Sequence, residues 1–129
     1  TEPDVTEPEP EGPKLEYVYD TNSRTFHVIG KGDIEGDAIV IPDTYRGKKV
    51  SAILEGAFKD TSITSINLGS NITYIGANAF SGCEDLEISF NGTKKEWIAI
   101  EKDDDWNAGV EQYGIYVGDT DNDWEIPIQ

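Results

Sequence analysis

The chain has 129 residues, with 26 Asp or Glu against 10 Lys or Arg, for a formal charge of −16. That balance argues against nucleic acid and anionic lipid as partners, since both need Lys or Arg to displace counterions. A lone Cys83 rules out an internal disulfide and a cysteine-based zinc site, and no apolar run approaches the ~20 residues of a membrane span.

Residues 1–13, TEPDVTEPEPEGP, hold almost nothing apolar and cannot offset their ordering entropy. They are expected to form a disordered acidic Pro-rich tether, kept extended by proline and like charge. Residues 14–129 are expected to form a single domain. The chain has no methionine and opens on Thr1, so loss of a leader is expected.

Leu15-Glu16-Tyr17-Val18-Tyr19 alternates, which puts Leu15, Tyr17 and Tyr19 on one strand face. Thr25 to Ile29 does the same for Phe26 and Val28. Asp20 to Arg24 between them is rich in turn formers, so the two runs predict a hairpin. Gly30, Gly32 and Gly36 mark a second turn region, up to Asp37. Ala38 to Pro42 reads as a short strand stopped by proline. From Ile41 to Val50 is nine steps, whereas the corresponding stretch from Leu68 to Ile72 is four. The five extra residues predict a loop that bulges outwards and presents Tyr45 and Arg46.

A repeat follows. Val50, Ile53, Ala57 and Phe58 recur 22 residues on as Ile72, Ile75, Ala79 and Phe80; Ile66 recurs as Ile88, and Leu68 as Phe90. A period of 20 to 50 residues marks stacked coils, each burying its neighbour's apolar edge. Ile63-Thr64-Ser65-Ile66-Asn67-Leu68 fits the L-x-x-L-x-L strand signature. Ala57-Phe58 and Ala79-Phe80 are expected on short helical turns of the opposite wall. Asn67 and Ser89, set between inward apolar residues, face outwards.

Beyond Phe90 the repeat breaks. Asn91-Gly92 predicts a turn. Thr93 with Glu96 forms a capping-box pattern, so a helix starts near Lys94 with Trp97 and Ile100 on one face. Asp103-Asp104-Asp105 is expected to end it as a solvated turn, and Tyr113 to Val117 to form a closing strand. The expected class is an α+β repeat: a short leucine-rich-repeat solenoid with an N-terminal β-hairpin cap (14–37), repeats over 38–90, and a C-terminal helix–strand cap (91–129).

Candidate chemistry is sparse. Cys83 reads as a small core residue. His27 lacks a partner set for metal binding or base catalysis. Asp119-Thr120-Asp121-Asn122-Asp123 opens like a calcium loop, yet Trp124 stands where that loop needs glycine and the twelfth position falls beyond Gln129. The carboxylates show no spacing that singles out a hydrolytic pair. Asn71-Ile72-Thr73 and Asn91-Gly92-Thr93 match the glycosylation sequon and are read as idle. Tyr45, Tyr113, Tyr116, Trp106 and Trp124 lie outside the matched apolar set; the tryptophans are expected to pack the end unit, leaving Tyr45 as the aromatic contact. No catalytic residue, metal or cofactor is expected. Solenoids mostly present surfaces, so a binding or spacer role is expected, with Tyr45, Arg46, Ser65, Asn67, Glu87 and Ser89 as binding residues chosen from outward geometry. The charge favours a monomer.

The run Ile41-Pro42 … Gly47-Lys48-Lys49-Val50-Ser51-Ala52-Ile53 … Gly56-Ala57-Phe58, then Ile72 to Phe80 and Ser81-Gly82-Cys83, resembles the BspA-type leucine-rich repeat. Phe90 to Ile100 with Trp106-Asn107 is similar to the segment that closes such arrays. The likeness covers roughly residues 15 to 117. It departs from the family pattern at Leu54, where glycine is usual, and at Thr61, which stands near the cysteine position. The resemblance implies a bacterial protein, secreted or anchored at the cell surface, that adheres to a host or microbial protein or glycan without enzymatic activity.

Overall fold

A computed structural model describes residue 8, residues 11–61, 63–83, 85–108 and 110, and the backbone of 112–117. Most of the expected tether, the Asp119–Asp123 run and Trp124 lie outside the described residues.

The chain winds through two sheets. It opens with the expected hairpin: β1 (Glu16–Asp20) pairs antiparallel with β2 (Thr25–Gly30). Alternation buries Tyr19, Phe26 and Val28 on its inner face. β3 (Ala38–Val40) starts the second sheet, followed by β4 (Thr44–Tyr45) and β5 (Lys48–Ile53). β6 (Ser65–Leu68), β7 (Tyr74–Ile75) and β8 (Asp85–Phe90) follow, then α1 (Lys94–Ala99), β9 (Glu101–Lys102) and β10 (Gln112–Val117). One sheet runs β1-β2-β5-β7-β9, with β4 attached to β5; the other runs β10-β8-β6-β3. Apart from the β1–β2 and β4–β5 pairs, neighbouring strands are parallel, as expected when successive windings of one coil lie side by side.

The 22-residue register is physical. Ile53 pairs with Ile75, Ile66 with Ile88, and Leu68 with Phe90, all buried. Between the sheets a third wall is laid down by stacked turns. Gly56 N–H donates to Ala77 O at 3.0 Å, Phe58 N–H to Ala79 O at 2.8 Å and Asp60 N–H to Ser81 O at 2.7 Å.

This wall corrects one expectation. The Ala57-Phe58 and Ala79-Phe80 segments are consecutive turns, not helical ones. Gly56 (φ 69°) and Asn78 (φ 57°), 22 residues apart, are both left-handed, as are Asp60 (φ 62°) and Gly82 (φ 91°). A left-handed residue every fourth position cannot continue a right-handed helix.

A line of rings runs through the core. Phe58 stacks on Phe80 at 5.9 Å between centroids, Phe80 meets Trp106 edge-on at 6.2 Å, and Trp106 meets Trp97 at 6.0 Å. Trp97 and Trp106 are both buried, as the end-unit reading expected. A second aromatic group, Tyr17, Tyr19, Phe26 and Tyr45, closes around the hairpin.

The capping box forms as the sequence predicts. Glu96 N–H donates to Thr93 Oγ1 at 3.1 Å, and Thr93 N–H to Glu96 Oε1 at 3.0 Å. The helix, however, stops at Ala99, well before the aspartates, because Glu101–Lys102 is taken up as β9 beside β7. Asp103 is correspondingly not a free turn residue. Its N–H donates to Ile75 O at 3.1 Å, and its carboxylate accepts from the Tyr74 hydroxyl at 2.6 Å and from Ala77 N–H at 3.2 Å.

Candidate functional site

The parallel register of β3, β6 and β8 lines up their outward positions in two rows. Ala38, Ser65 and Glu87 make one; Val40, Asn67 and Ser89 make the other. Between the rows lie the backbones of Ile39, Ile66 and Ile88, whose side chains fill the core. The rows carry short side chains and flank a shallow depression of about 270 Å³. In β10 the register continues with Gly114 opposite Glu87 and Tyr116 opposite Ser89.

One row is internally bonded. Asn67 Nδ2 donates to Ser89 Oγ at 2.8 Å and to Asn91 Oδ1 at 3.0 Å, and Asn91 Nδ2 returns a bond to Asn67 Oδ1 at 3.1 Å. This holds the amides in one orientation. At the other end Val40 is 67% exposed, the most exposed large apolar side chain among the described residues. The surface thus grades from apolar through amide and hydroxyl groups to the exposed Glu87 carboxylate.

Four of the six sequence-derived binding residues, Ser65, Asn67, Glu87 and Ser89, therefore share one surface. Tyr45 and Arg46 do not join them. The loop expected to bulge outwards folds back as a hairpin: β4 pairs with the start of β5 through a two-residue turn, Arg46 (φ 52°) and Gly47 (φ 83°). Left-handed conformations at both central positions match the twist of a tight hairpin. Tyr45 is only 9% exposed, parallel to Tyr17 at 3.9 Å and edge-on to Phe26 at 4.9 Å. Its ring is core, which corrects its reading as an exposed contact. Ala38, Val40 and Asn91 were missed. The first two pair with Ser65 and Asn67 at an offset of 27, which is the 22-residue period plus the five inserted residues.

Elsewhere the titratable groups serve the fold. Cys83 is buried and its Sγ donates to Phe58 O at 3.4 Å, with Thr61, 22 residues earlier, 3.7 Å from it. His27 faces Asp20 at 3.8 Å. The Ser23 hydroxyl and the Asn22 N–H hold Asp20 below its ordinary range. The bond to Asp103, with burial and nearby carboxylates, pushes Tyr74 up to about 12; burial and the neighbouring Tyr45 do the same to Tyr17. Burial draws Lys102 down, while its Nζ lies 4.6 Å over the Trp97 ring and donates to Trp97 O and Ile100 O. Among the described residues no group of three or more His, Cys, Asp or Glu could hold a metal, and no helix is long and apolar enough to cross a membrane.

Parallel strands in two sheets, joined by stacked turns around one core, define a β-solenoid of about three turns with a leucine-rich repeat fold. Residues 39–98 match the family model described as BspA type leucine-rich repeat region (6 copies), the family that the sequence resembles. The fold is similar to the crystal structure of a leucine-rich repeat protein from T. pallidum, at 22% identity and TM-score 0.52, over 60% of this chain and 40% of that one. It is also similar to a leucine-rich repeat protein from Bacteroides capillosus ATCC 29799, at 15% identity and TM-score 0.58, over 83% of this chain and 97% of that one. A third likeness is to a leucine-rich cell surface protein from Faecalibacterium prausnitzii A2-165, at 17% identity and TM-score 0.52, over 87% of this chain and 30% of that one. The chain thus spans 40% of the T. pallidum protein's length. No curated protein matches it.

Proposed function

We propose that this chain is a non-enzymatic binding module displayed at a bacterial cell surface, where it adheres to a host or microbial protein or glycan. The observation that carries the reading is the pair of outward rows, Ala38-Ser65-Glu87 and Val40-Asn67-Ser89, with a trough between them and its amides already oriented. Preordered hydroxyl and amide groups beside an exposed apolar side chain suit an uncharged or basic partner. The likeness to a cell surface protein supports the location. The β1–β2 hairpin serves as the front cap of the array, and α1 with β9 and β10 as the back cap, since a solenoid's last coils would otherwise expose core. The molecule acts as a monomer, its charge keeping copies apart.

Screening on arrays of host proteins and glycans tests this. Saturable retention that is lost in Asn67→Ala/Glu87→Ala, with folding intact, supports the site. Retention unchanged by that pair removes the trough from the account. A spacer role is the second reading, favoured by the few large apolar side chains exposed among the described residues; it predicts no saturable retention on any array.

A further inference from the structure

We propose that Asn91 is a site of intramolecular deamidation, held back by its amide pair with Asn67. Asn91-Gly92 is the one Asn-Gly step in the chain. It lies between the end of β8 and the Thr93 cap, in neither strand nor helix, and Asn91 is exposed to water. Glycine carries no side chain to shield its main-chain nitrogen. That nitrogen attacks Cγ of Asn91. A C–N bond forms, the side-chain amide C–N bond breaks, and the Gly92 proton leaves with the amide as ammonia. Water then opens the cyclic imide at one carbonyl to give aspartate or at the other to give isoaspartate. No oxidant or reductant takes part.

Two features oppose ring closure. The Asn91 amide is bonded both ways to Asn67, at 3.0 and 3.1 Å. Gly92 is packed so closely that an added Cβ would lie 2.5 Å from the Phe90 ring and from Glu96 Oε1. The attack therefore needs the amide pair to open first. The product changes the same row: a carboxylate at 91 can accept from Asn67 but cannot donate back, and it adds negative charge beside Ser89. Isoaspartate also lengthens the main chain between β8 and α1. The proposal stands independently of any binding role.

The test is peptide mapping of the whole chain during incubation in mildly alkaline buffer, with isoaspartate detected by enzymatic methylation. Conversion should concentrate at Asn91, run faster in the urea-unfolded chain, and accelerate about 5- to 30-fold in folded Asn67→Ala, the range set by losing one or two hydrogen bonds. Ser89→Ala, which keeps the amide pair, should leave the rate near wild type. Should Asn67→Ala not fold, Asn67→Ser takes its place. Equal rates in wild type and the folded Asn67 variant overturn the gating. No conversion at Asn91 in that variant, or equal conversion at other asparagines, overturns the site.

Discussion

The rings of Phe58 and Phe80 lie 5.9 Å apart and within 5° of parallel, both fully buried, one in each of two successive windings. Their backbones are joined as well, since Phe58 N–H donates to the carbonyl of Ala79 at 2.8 Å. Each ring is a wall of the other's cavity. Phe80 also touches Trp106, so it has neighbours on both sides along the axis. Phe80→Ala should therefore cost about 3–5 kcal/mol in urea unfolding, and no less than Phe58→Ala.

Tyr45→Ala should lower stability by about 3–5 kcal/mol, because it empties a ring from the Tyr17–Phe26 group. A variant as stable as wild type would contradict the buried placement.

Gly76 stands 22 residues after Leu54, at a point where two coils approach closely. A Cβ there would lie 2.6 Å from Glu55 N and 2.9 Å from Leu54 C, both main-chain atoms that cannot swing aside. Gly76→Ala should cost about 1–3 kcal/mol, measurable as a lowered urea midpoint with unchanged slope. The family pattern's glycine is thus required at 76, where a coil lies beneath it.

Stability should fall in strong alkali. Tyr17 and Tyr74 are each pushed up to about 12 in the fold, against an unfolded value near 10. Folding favours the neutral phenol, so this contribution is complete below about pH 10 and is lost as pH rises through about 12. Tyr74→Phe should flatten the alkaline fall, and should cost about 1 kcal/mol at neutral pH through the lost bond to Asp103. An unaltered alkaline profile in both Tyr17→Phe and Tyr74→Phe would contradict the shifts.

Thr93→Ala should cost about 1 kcal/mol and loosen α1, since it leaves the Glu96 N–H without its acceptor. Thr93→Ser should restore most of the loss.

What was legible followed from local rules. The period located the core because buried side chains at Ile53, Phe58 and Ile66 must meet their copies one coil on. Alternation oriented Ser65, Asn67, Glu87 and Ser89, and a four-residue capping box located α1. What was not legible depended on contacts distant in sequence. β7 and β9 are two residues each and are defined by their neighbours, β7 by pairing with β5 and β9 by pairing with β7, so no propensity marks them. Tyr45 turned inwards because the Arg46-Gly47 turn returned it to the hairpin, and Arg is an uncommon choice for a left-handed position. The turns of the third wall differ from the short helical turns expected, although Gly56, Asn78 and Gly82 are residues that favour left-handed backbone. Asp103 looked solvated until β9 carried it to Tyr74.

A double-mutant cycle on Phe58→Leu and Phe80→Leu, followed by urea unfolding, bears most directly on whether the windings share one interior. Rings in contact should give a coupling of about 0.5–1.5 kcal/mol beyond the two single losses. Strict additivity would mean that the two side chains occupy separate environments, and the stacked-coil account would fail.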